Sequence, residues 1–82
     1  MSNLYTVVER IEQELTRVFE SQTLIEDSDS LTLSCEEGNR VVEISVFESS
    51  ADIRAEVVEK EGSEPIRVWE DVSPDQVSSL VA

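Results

Sequence analysis

The sequence contains no histidine, and among its 82 residues there are only one cysteine, one lysine and two glycines. Without histidine, the Ser-His-Asp and Cys-His catalytic arrangements and the commonest metal ligand are excluded. Two isolated glycines cannot form the glycine-rich loop that cradles a phosphate. Cys35 cannot form an internal disulfide, and its position on a strand favours a small core residue over a nucleophile. We therefore predict a protein that is not an enzyme and needs no cofactor.

Carboxylates are abundant, but their spacing does not indicate a metal site. The segment that begins at Glu26, with Asp27 and Asp29, superficially resembles a calcium-binding loop. Such a loop requires glycine at its sixth position, where this sequence has Leu31. We expect a solvated loop there and no bound metal.

The net charge limits the partners that this chain can bind. Six basic residues against nineteen acidic ones give a formal charge of −13. Bare nucleic acid and anionic membranes are poor partners, because binding to either depends on cations of the protein. A basic protein surface is the favoured partner, above all the groove of a DNA-binding protein. Two other readings stay open: the charge only supports solubility, or the chain is adapted to a salt-rich cytoplasm, since five of its six basic residues are arginine.

The sequence shows no targeting or membrane segment. No apolar run approaches the ~18 residues of a membrane helix. The N-terminus lacks the basic start and apolar stretch of a signal peptide. The single cysteine also suits a reducing compartment. We expect one domain, residues 1–82, in the cytoplasm.

An amphipathic helix is predicted at the N-terminus. Seven apolar residues recur there at three- and four-residue steps: Leu4, Val7, Val8, Ile11, Leu15, Val18 and Phe19. This spacing places them on one stripe of a helix. Ser2 or Asn3 is expected to cap its start. Thr6 with Glu9 offers an alternative capping box. The end is left open, because residues 18–25 also favour an extended strand.

From residue 31 the apolar period changes to two, which is typical of strands with one buried face. The predicted inward residues are Leu31, Leu33, Cys35, Val42, Ile44, Val46, Ile53, Ala55, Val57, Ile66, Val68 and Val72. Turns are expected at residues 37–39 and 61–64, because glycine and asparagine accept a positive φ. Pro65 opens the last strand, where proline is tolerated.

The last ten residues predict a short helix. Ser73 supplies the N-cap, Pro74 the first helical position and Gln76 the reciprocal cap. The expected fold is α+β: an N-terminal amphipathic helix, an antiparallel sheet of four to five strands and a short C-terminal helix.

Strict alternation places four large apolar residues on the outer face of this sheet: Val41, Phe47, Val58 and Trp69. They are too large and too many for a face that meets only water. Either the C-terminal helix covers them, or they form a binding or dimer surface.

Several segments resemble the phage uracil-DNA glycosylase inhibitors. Near the N-terminus they are Met1-Ser2-Asn3-Leu4, Val7-Val8-Glu9-Arg10 and Glu20-Ser21. Further on, a similar order and spacing occur in the turn Phe47-Glu48-Ser49-Ser50-Ala51-Asp52, in Glu64 and in Trp69. The resemblance implies an α+β protein with an antiparallel sheet. It also implies a second helix soon after the Glu20-Ser21 strand, where the residue pattern predicts a strand over 31–36.

By this resemblance, the protein would be a phage-encoded DNA mimic that acts in the host cytoplasm. An edge strand bearing Glu20 and Ser21 would enter the DNA-binding groove of uracil-DNA glycosylase, and other carboxylates would stand in for phosphates. Phe47 or Trp69 would supply the apolar contact that tight binding needs. The predicted contact residues are Glu20, Ser21, Phe47, Glu48, Asp52 and Trp69.

Two alternatives belong to other functional classes. The chain is also similar to the small acidic secretion chaperones in its helix-then-sheet order, which implies an interaction module that forms a homodimer through its outer sheet face. The other alternative is a salt-adapted domain, which would unfold in low salt.

Overall fold

The computed structural model describes residues 4–81, which form one five-stranded antiparallel sheet and two helices. The elements in chain order are α1 (Leu4–Leu15), β1 (Ser21–Glu26), β2 (Ser30–Glu37), β3 (Arg40–Ser49), β4 (Asp52–Glu61), β5 (Glu64–Val72), a 3₁₀ turn (Pro74–Gln76) and α2 (Val77–Val81). The strands lie side by side in chain order, as a meander. The predicted α+β fold is therefore confirmed, with five strands.

The apolar stripe of α1 packs against the sheet as its spacing predicts. Its buried members are Leu4, Val8, Ile11 and Leu15, and Phe19 is buried just after the helix. The helix ends at Leu15, whose carbonyl oxygen accepts hydrogen bonds from the backbone N–H groups of Val18 (2.9 Å) and Phe19 (3.1 Å). Residues 21–26 then form strand β1. Of the segment 18–25, whose structure the sequence left open, residues 21–25 are therefore extended.

The start of α1 differs from the predicted capping box. Thr6 lies inside the helix, which has already formed at Leu4, so Thr6 is not its N-cap. That prediction is wrong, because the stripe extends the helix one turn earlier. Ser2 and Asn3, the other predicted caps, lie outside the described residues.

The core lies between the sheet and the two helices. Leu33, Ile44 and Val57 are direct neighbours on β2, β3 and β4 and are almost completely buried. Val77 and Val81 of α2 are buried in the same cluster. Each fully buried side chain of this size stabilises the fold by about 1.5–3 kcal/mol, so this cluster provides most of the driving force.

A bulge in β5 changes the faces that strict alternation predicts. Trp69 pairs with Val57, whereas Val72 pairs with Ala55, so β5 has one residue more than β4 over this stretch. Asp71, inside the bulge, has a φ of 54°. Because one residue is added, Trp69 and Val72 both point to the helix side and pack against the core.

Three predictions for β5 are therefore wrong. Ile66 and Val68, predicted to face inward, are 53% and 50% exposed. Trp69, predicted on the outer face, faces the core. A second register shift beside Lys60 displaces Ile66 from the alternation. The prediction for Val72 is confirmed.

The outer face of the sheet carries the other three predicted residues, Val41, Phe47 and Val58, each half-buried. The C-terminal helix does not cover them, because its buried residues belong to the core on the opposite face. The outer face is therefore open in the part of the chain that the structure describes.

The C-terminal segment starts at the predicted residue. Ser73 is the N-cap, with φ −69° and ψ 136°, and Pro74 follows it. The Ser73 side chain makes no capping hydrogen bond; instead the Ser73 carbonyl oxygen accepts a hydrogen bond from the Gln76 N–H at 2.9 Å. Between residues 4 and 81, no helix is both long enough and apolar enough to cross a membrane.

Candidate binding site

The meander brings acidic residues together at one end of the sheet, where β1, β3 and β5 start and β2 and β4 end. Five exposed carboxylates lie there, and we name this surface the Glu20 end: Glu20, Glu36, Glu37, Glu61 and Glu64. They belong to or directly adjoin four of the five strands. The two turns at this end are linked, because the Gly62 N–H donates to the Asn39 carbonyl oxygen at 2.7 Å.

The opposite end of the sheet carries a second set of exposed carboxylates. We name it the Glu48 end: Glu26, Asp27, Asp29, Glu48 and Asp52. The six residues of β1 separate the two ends, which corresponds to about 20 Å at ~3.3 Å per residue. Ten of the nineteen carboxylates therefore lie at or beside the ends of strands, and fewer lie within the strands.

Few carboxylates are neutralised by ion pairs. Five of the nineteen lie within 4 Å of a lysine or arginine nitrogen: Glu14, Glu43, Glu59, Asp71 and Asp75. Within residues 4–81, none of the carboxylates of the Glu20 end or the Glu48 end has such a neighbour. The uncompensated charge of the described chain is therefore concentrated at these two ends.

The cations nearest to the Glu20 end are already engaged. The Arg40 Nε lies 2.7 Å from Glu59 Oε2, and Nη2 of Arg40 donates to the Val81 carbonyl oxygen at 2.6 Å. The Lys60 Nζ lies 3.1 Å from Glu43. Both cations therefore form their ion pairs with carboxylates outside the Glu20 end, although Arg40 is the cross-strand neighbour of Glu37 and Glu61.

An exposed apolar side chain accompanies the carboxylates of the Glu20 end. A cleft of about 350 Å³ is lined by Glu37, Asn39, Arg40, Glu59, Lys60, Glu61 and Ile66. Ile66 is the apolar member of this lining and is exposed because of the shifted register of β5. An apolar contact bordered by charge is the usual composition of a protein-binding surface.

The Glu48 end has a simpler structural explanation. Its cleft of about 480 Å³ includes Leu4 and Tyr5 of α1 together with Glu26, Asp27, Asp29 and Glu48. These carboxylates line the same cleft as the first described residues of α1, and negative charge near the N-terminus of a helix is favourable. A hydrogen bond with Glu26, with smaller effects from desolvation and from the charge of Glu26, raises the pKa of Tyr5.

The predicted contact residues do not form one site. Glu20 and Ser21 lie at the Glu20 end, where Ser21 opens the edge strand β1. Phe47 and Glu48 lie near the end of β3, and Asp52 is the first residue of β4. All three are therefore at the Glu48 end. A single partner that contacts both groups would have to span the whole sheet.

Trp69 is partly buried and does not lie on the outer face of the sheet. Its ring packs against the core on the helix side of the sheet, and the Arg67 guanidinium lies 5.5 Å from the ring centroid. The bulge in β5 turns its side chain to the helix side, and its contact role stays a prediction.

The resemblance to the glycosylase inhibitors implies an edge strand that bears Glu20 and Ser21 and a second helix soon after it. Glu20 directly precedes an edge strand, and its N–H donates to the Glu36 carbonyl oxygen at 3.1 Å. The second helix that the resemblance implies is not found after this strand, because β2 starts after a three-residue loop. The periodicity of residues 31–36 predicted that strand.

The groups capable of covalent chemistry are poorly placed for it. Cys35 is completely buried, and burial, followed by the charge of Glu12, raises the pKa of its thiol to about 11. A thiol with so high a pKa is almost entirely protonated at neutral pH and is a weak nucleophile. Among the described residues, no three carboxylates or thiols are grouped so that they could hold a metal ion.

The predicted contact residues omit four acidic residues of the Glu20 end: Glu36, Glu37, Glu61 and Glu64, of which only Glu64 is named in the resemblance. The signal was present, because these residues flank the glycine turns at 37–39 and 61–64. In a meander, alternate turns lie at the same end of the sheet, so these glutamates had to lie close together. The antiparallel meander that the periodicity predicts already implies this grouping, and the structure adds the register of the strands.

Comparison with known protein families, curated proteins and solved structures found no match to this chain. The likeness to the glycosylase inhibitors therefore stays a prediction.

Proposed function

We propose that this protein is an acidic, non-catalytic binding protein whose Glu20 end docks on a cationic groove of another protein. The observation that carries the proposal is the set of five exposed carboxylates at that end, without a lysine or arginine nitrogen within 4 Å. Neighbouring strands lie ~4.8 Å apart, so the set extends about 19 Å from β1 to β5. A partner with several fixed cations along a groove complements this surface.

The DNA-binding groove of a DNA-processing enzyme is the class of partner that fits best. Such grooves carry lysines and arginines that neutralise successive phosphates. Carboxylates accept charge-assisted hydrogen bonds from the same groups and steer the encounter over long distances. Ile66 supplies an apolar contact beside them. Uracil-DNA glycosylase is the named candidate, because Glu20 and Ser21 belong to the segment that resembles its inhibitors.

Two variants with the same net charge test whether the Glu20 end is the binding surface. One replaces Glu36, Glu37, Glu61 and Glu64 with glutamine. Its matched control neutralises four carboxylates of the Glu48 end: Glu26→Gln, Asp27→Asn, Asp29→Asn and Glu48→Gln. Each variant removes four negative charges from −13. Thermal unfolding of both variants checks that the fold is kept.

Binding to uracil-DNA glycosylase is measured by surface plasmon resonance at several salt concentrations, and inhibition is measured at equimolar protein. We expect the Glu20-end variant to bind about eightfold to thirtyfold more weakly, since four exposed pairs at ~0.3–0.5 kcal/mol each give about 1.2–2 kcal/mol. The control should stay within about twofold. For both proteins association should slow as salt rises.

Two results separate the parts of the proposal. If the wild-type protein does not inhibit the glycosylase, that enzyme is the wrong partner, and the same variants are measured against an immobilised arginine-rich peptide. Equal weakening of the two variants would show that binding follows net charge and has no particular surface, which contradicts the proposal.

A further inference from the structure

The two edges of the sheet differ in how they are protected from pairing with another strand. The β5 edge starts next to Pro65 and contains two register shifts, and both features prevent regular pairing. The Arg54 side chain holds one shift in place by hydrogen bonds to Asp71 Oδ1 (2.8 Å) and to its carbonyl oxygen (2.6 Å). Glutamates near both ends of β5 add charge. This edge is therefore closed to strand addition.

The β1 edge has neither the proline nor the register shifts, and its glutamates, Glu20 and Glu26, lie only at its two ends. Its six residues pair with β2 without a register shift, and the strand contains no proline, glycine or lysine. Residues 21–25 carry no charge, although the chain as a whole is strongly acidic. Leu24 and Ile25 are 40% and 46% exposed. A neutral, regular and partly apolar edge is a template for another strand.

The main chain of β1 has free groups directed away from β2. The Asp27 N–H donates to the Ser30 carbonyl oxygen at 3.0 Å. Along an antiparallel strand, the backbone N–H and C=O groups of successive residues point alternately to the two neighbouring strands. Those of Ser21, Thr23 and Ile25 therefore form hydrogen bonds with β2, as the Asp27 N–H does. The N–H and C=O groups of Gln22, Leu24 and Glu26 therefore point outward, with no strand beside them among the described residues.

We propose that β1 pairs with β1 of a second copy of this chain, antiparallel and about a two-fold axis at Leu24, to form a continuous ten-stranded sheet. Three nearby registers bring outward-directed residues opposite one another, centred on Thr23, Leu24 and Ile25. The Ile25 register pairs only residues 24–26 of the two β1 strands, whereas the Leu24 register pairs residues 22–26. The Thr23 register places Glu20 opposite Glu26 of the partner subunit, and like charges directly opposite are destabilising.

The Leu24 register is complementary at every pair. Gln22 lies opposite Glu26 of the partner subunit and can donate to its carboxylate. Thr23 lies opposite Ile25 of the partner subunit, a pair of β-branched residues that favours strands. Leu24 meets its own copy on the axis. Because this register opposes no two charges of the same sign, the strand is self-complementary, and a second copy is the occupant that this edge fits.

Salt distinguishes this interface from the proposed cationic partner. Two chains of −13 repel each other, and salt screens that repulsion. We expect the dimer to form at least about tenfold more tightly in ~500 mM than in ~50 mM NaCl. Binding of a cationic partner changes in the opposite direction. Failure of one proposal therefore does not imply failure of the other.

Cysteine cross-linking tests the register. In an antiparallel hydrogen-bonded pair the Cα atoms are ~5.5 Å apart, within the ~4.4–6.8 Å that a disulfide spans. The variant Leu24→Cys should therefore form a covalent dimer with oxidised glutathione in high salt. In the matched variant Thr23→Cys, the two thiols lie on diagonal residues ~7–8 Å apart and should cross-link poorly. Wild-type protein controls for Cys35, which is buried.

Sedimentation of uncross-linked protein tests the interface itself. Wild type and Val68→Lys, on the β5 edge, should sediment as dimers in high salt, whereas Leu24→Lys should stay monomeric. A wild type that is monomeric at every salt concentration overturns the proposal, and so does a dimer that Leu24→Lys leaves intact. Faster cross-linking of Thr23→Cys overturns the Leu24 register. Leu24→Lys leaves the Glu20 end unchanged, so its binding to a cationic partner is measured independently.

Discussion

The ion pair between Arg40 and Glu59 joins β3, β4 and the C-terminal helix, and its removal should destabilise the fold measurably. Glu59 is only 12% exposed in its side chain and Arg40 is 33% exposed. Breaking a fully buried pair costs ~3–5 kcal/mol, whereas exposed pairs contribute ~0–1 kcal/mol. The intermediate burial places Glu59→Gln at about 1–2 kcal/mol of lost unfolding free energy.

Removal of the arginine should cost more than removal of its partner. Arg40→Met also loses the hydrogen bond to the Val81 carbonyl oxygen and the contact of the guanidinium with the Phe19 ring, 5.1 Å away. It leaves Glu59 with Arg67, whose Nε is 4.0 Å away, as its remaining cation. We expect a loss of about 2–3 kcal/mol, because a poorly solvated carboxylate keeps only a distant partner.

Urea unfolding gives these free energies, with the fluorescence of the single tryptophan as the signal. The double variant should show a coupling energy of about 1 kcal/mol or more between Arg40 and Glu59. The control is the pair of Arg10 with Asp75, 3.5 Å apart and 69% and 75% exposed, for which coupling below about 0.5 kcal/mol is expected. If both pairs give the same small coupling, the stabilising role assigned to the Arg40–Glu59 pair is refuted.

Two further predictions concern β-strand geometry. Ser50 and Ala51 form a two-residue hairpin loop with φ of 50° and 69°. Because a positive φ strains a residue that has a Cβ, Ala51→Gly should stabilise the protein by up to about 1 kcal/mol in thermal unfolding. A lower melting temperature for this variant would contradict backbone strain at Ala51. Trp69→Ala should lower the free energy of unfolding, followed by circular dichroism, by about 2–4 kcal/mol, whereas exposed Val68→Ala should change it by less than ~0.5 kcal/mol. Equal losses would contradict the inward position of the tryptophan.

Much of the fold was predictable because it depends on local periodicity. The three- and four-residue spacing of Leu4, Val8, Ile11 and Leu15 determined both the helix and its buried face. Alternation determined the inward residues of β2, of β3 and of residues 53–57 in β4. Gly38 and Gly62, with φ of 59° and 64°, occupy turns that the sequence indicates. In each case the information lies within a few residues of chain.

Two features were decided only by the tertiary structure. The bulge at Asp71 reverses the faces of β5, and it depends on Arg54, a residue of the neighbouring strand that supplies both hydrogen bonds. The Glu20 end exists because the strands pair in chain order and bring Glu36 and Glu61, 25 positions apart in sequence, to the same end of the sheet. By itself, the sequence determined how much negative charge the protein carries. The pairing of strands decided where that charge lies, because charges distant along the chain become neighbours only through hydrogen bonds between strands.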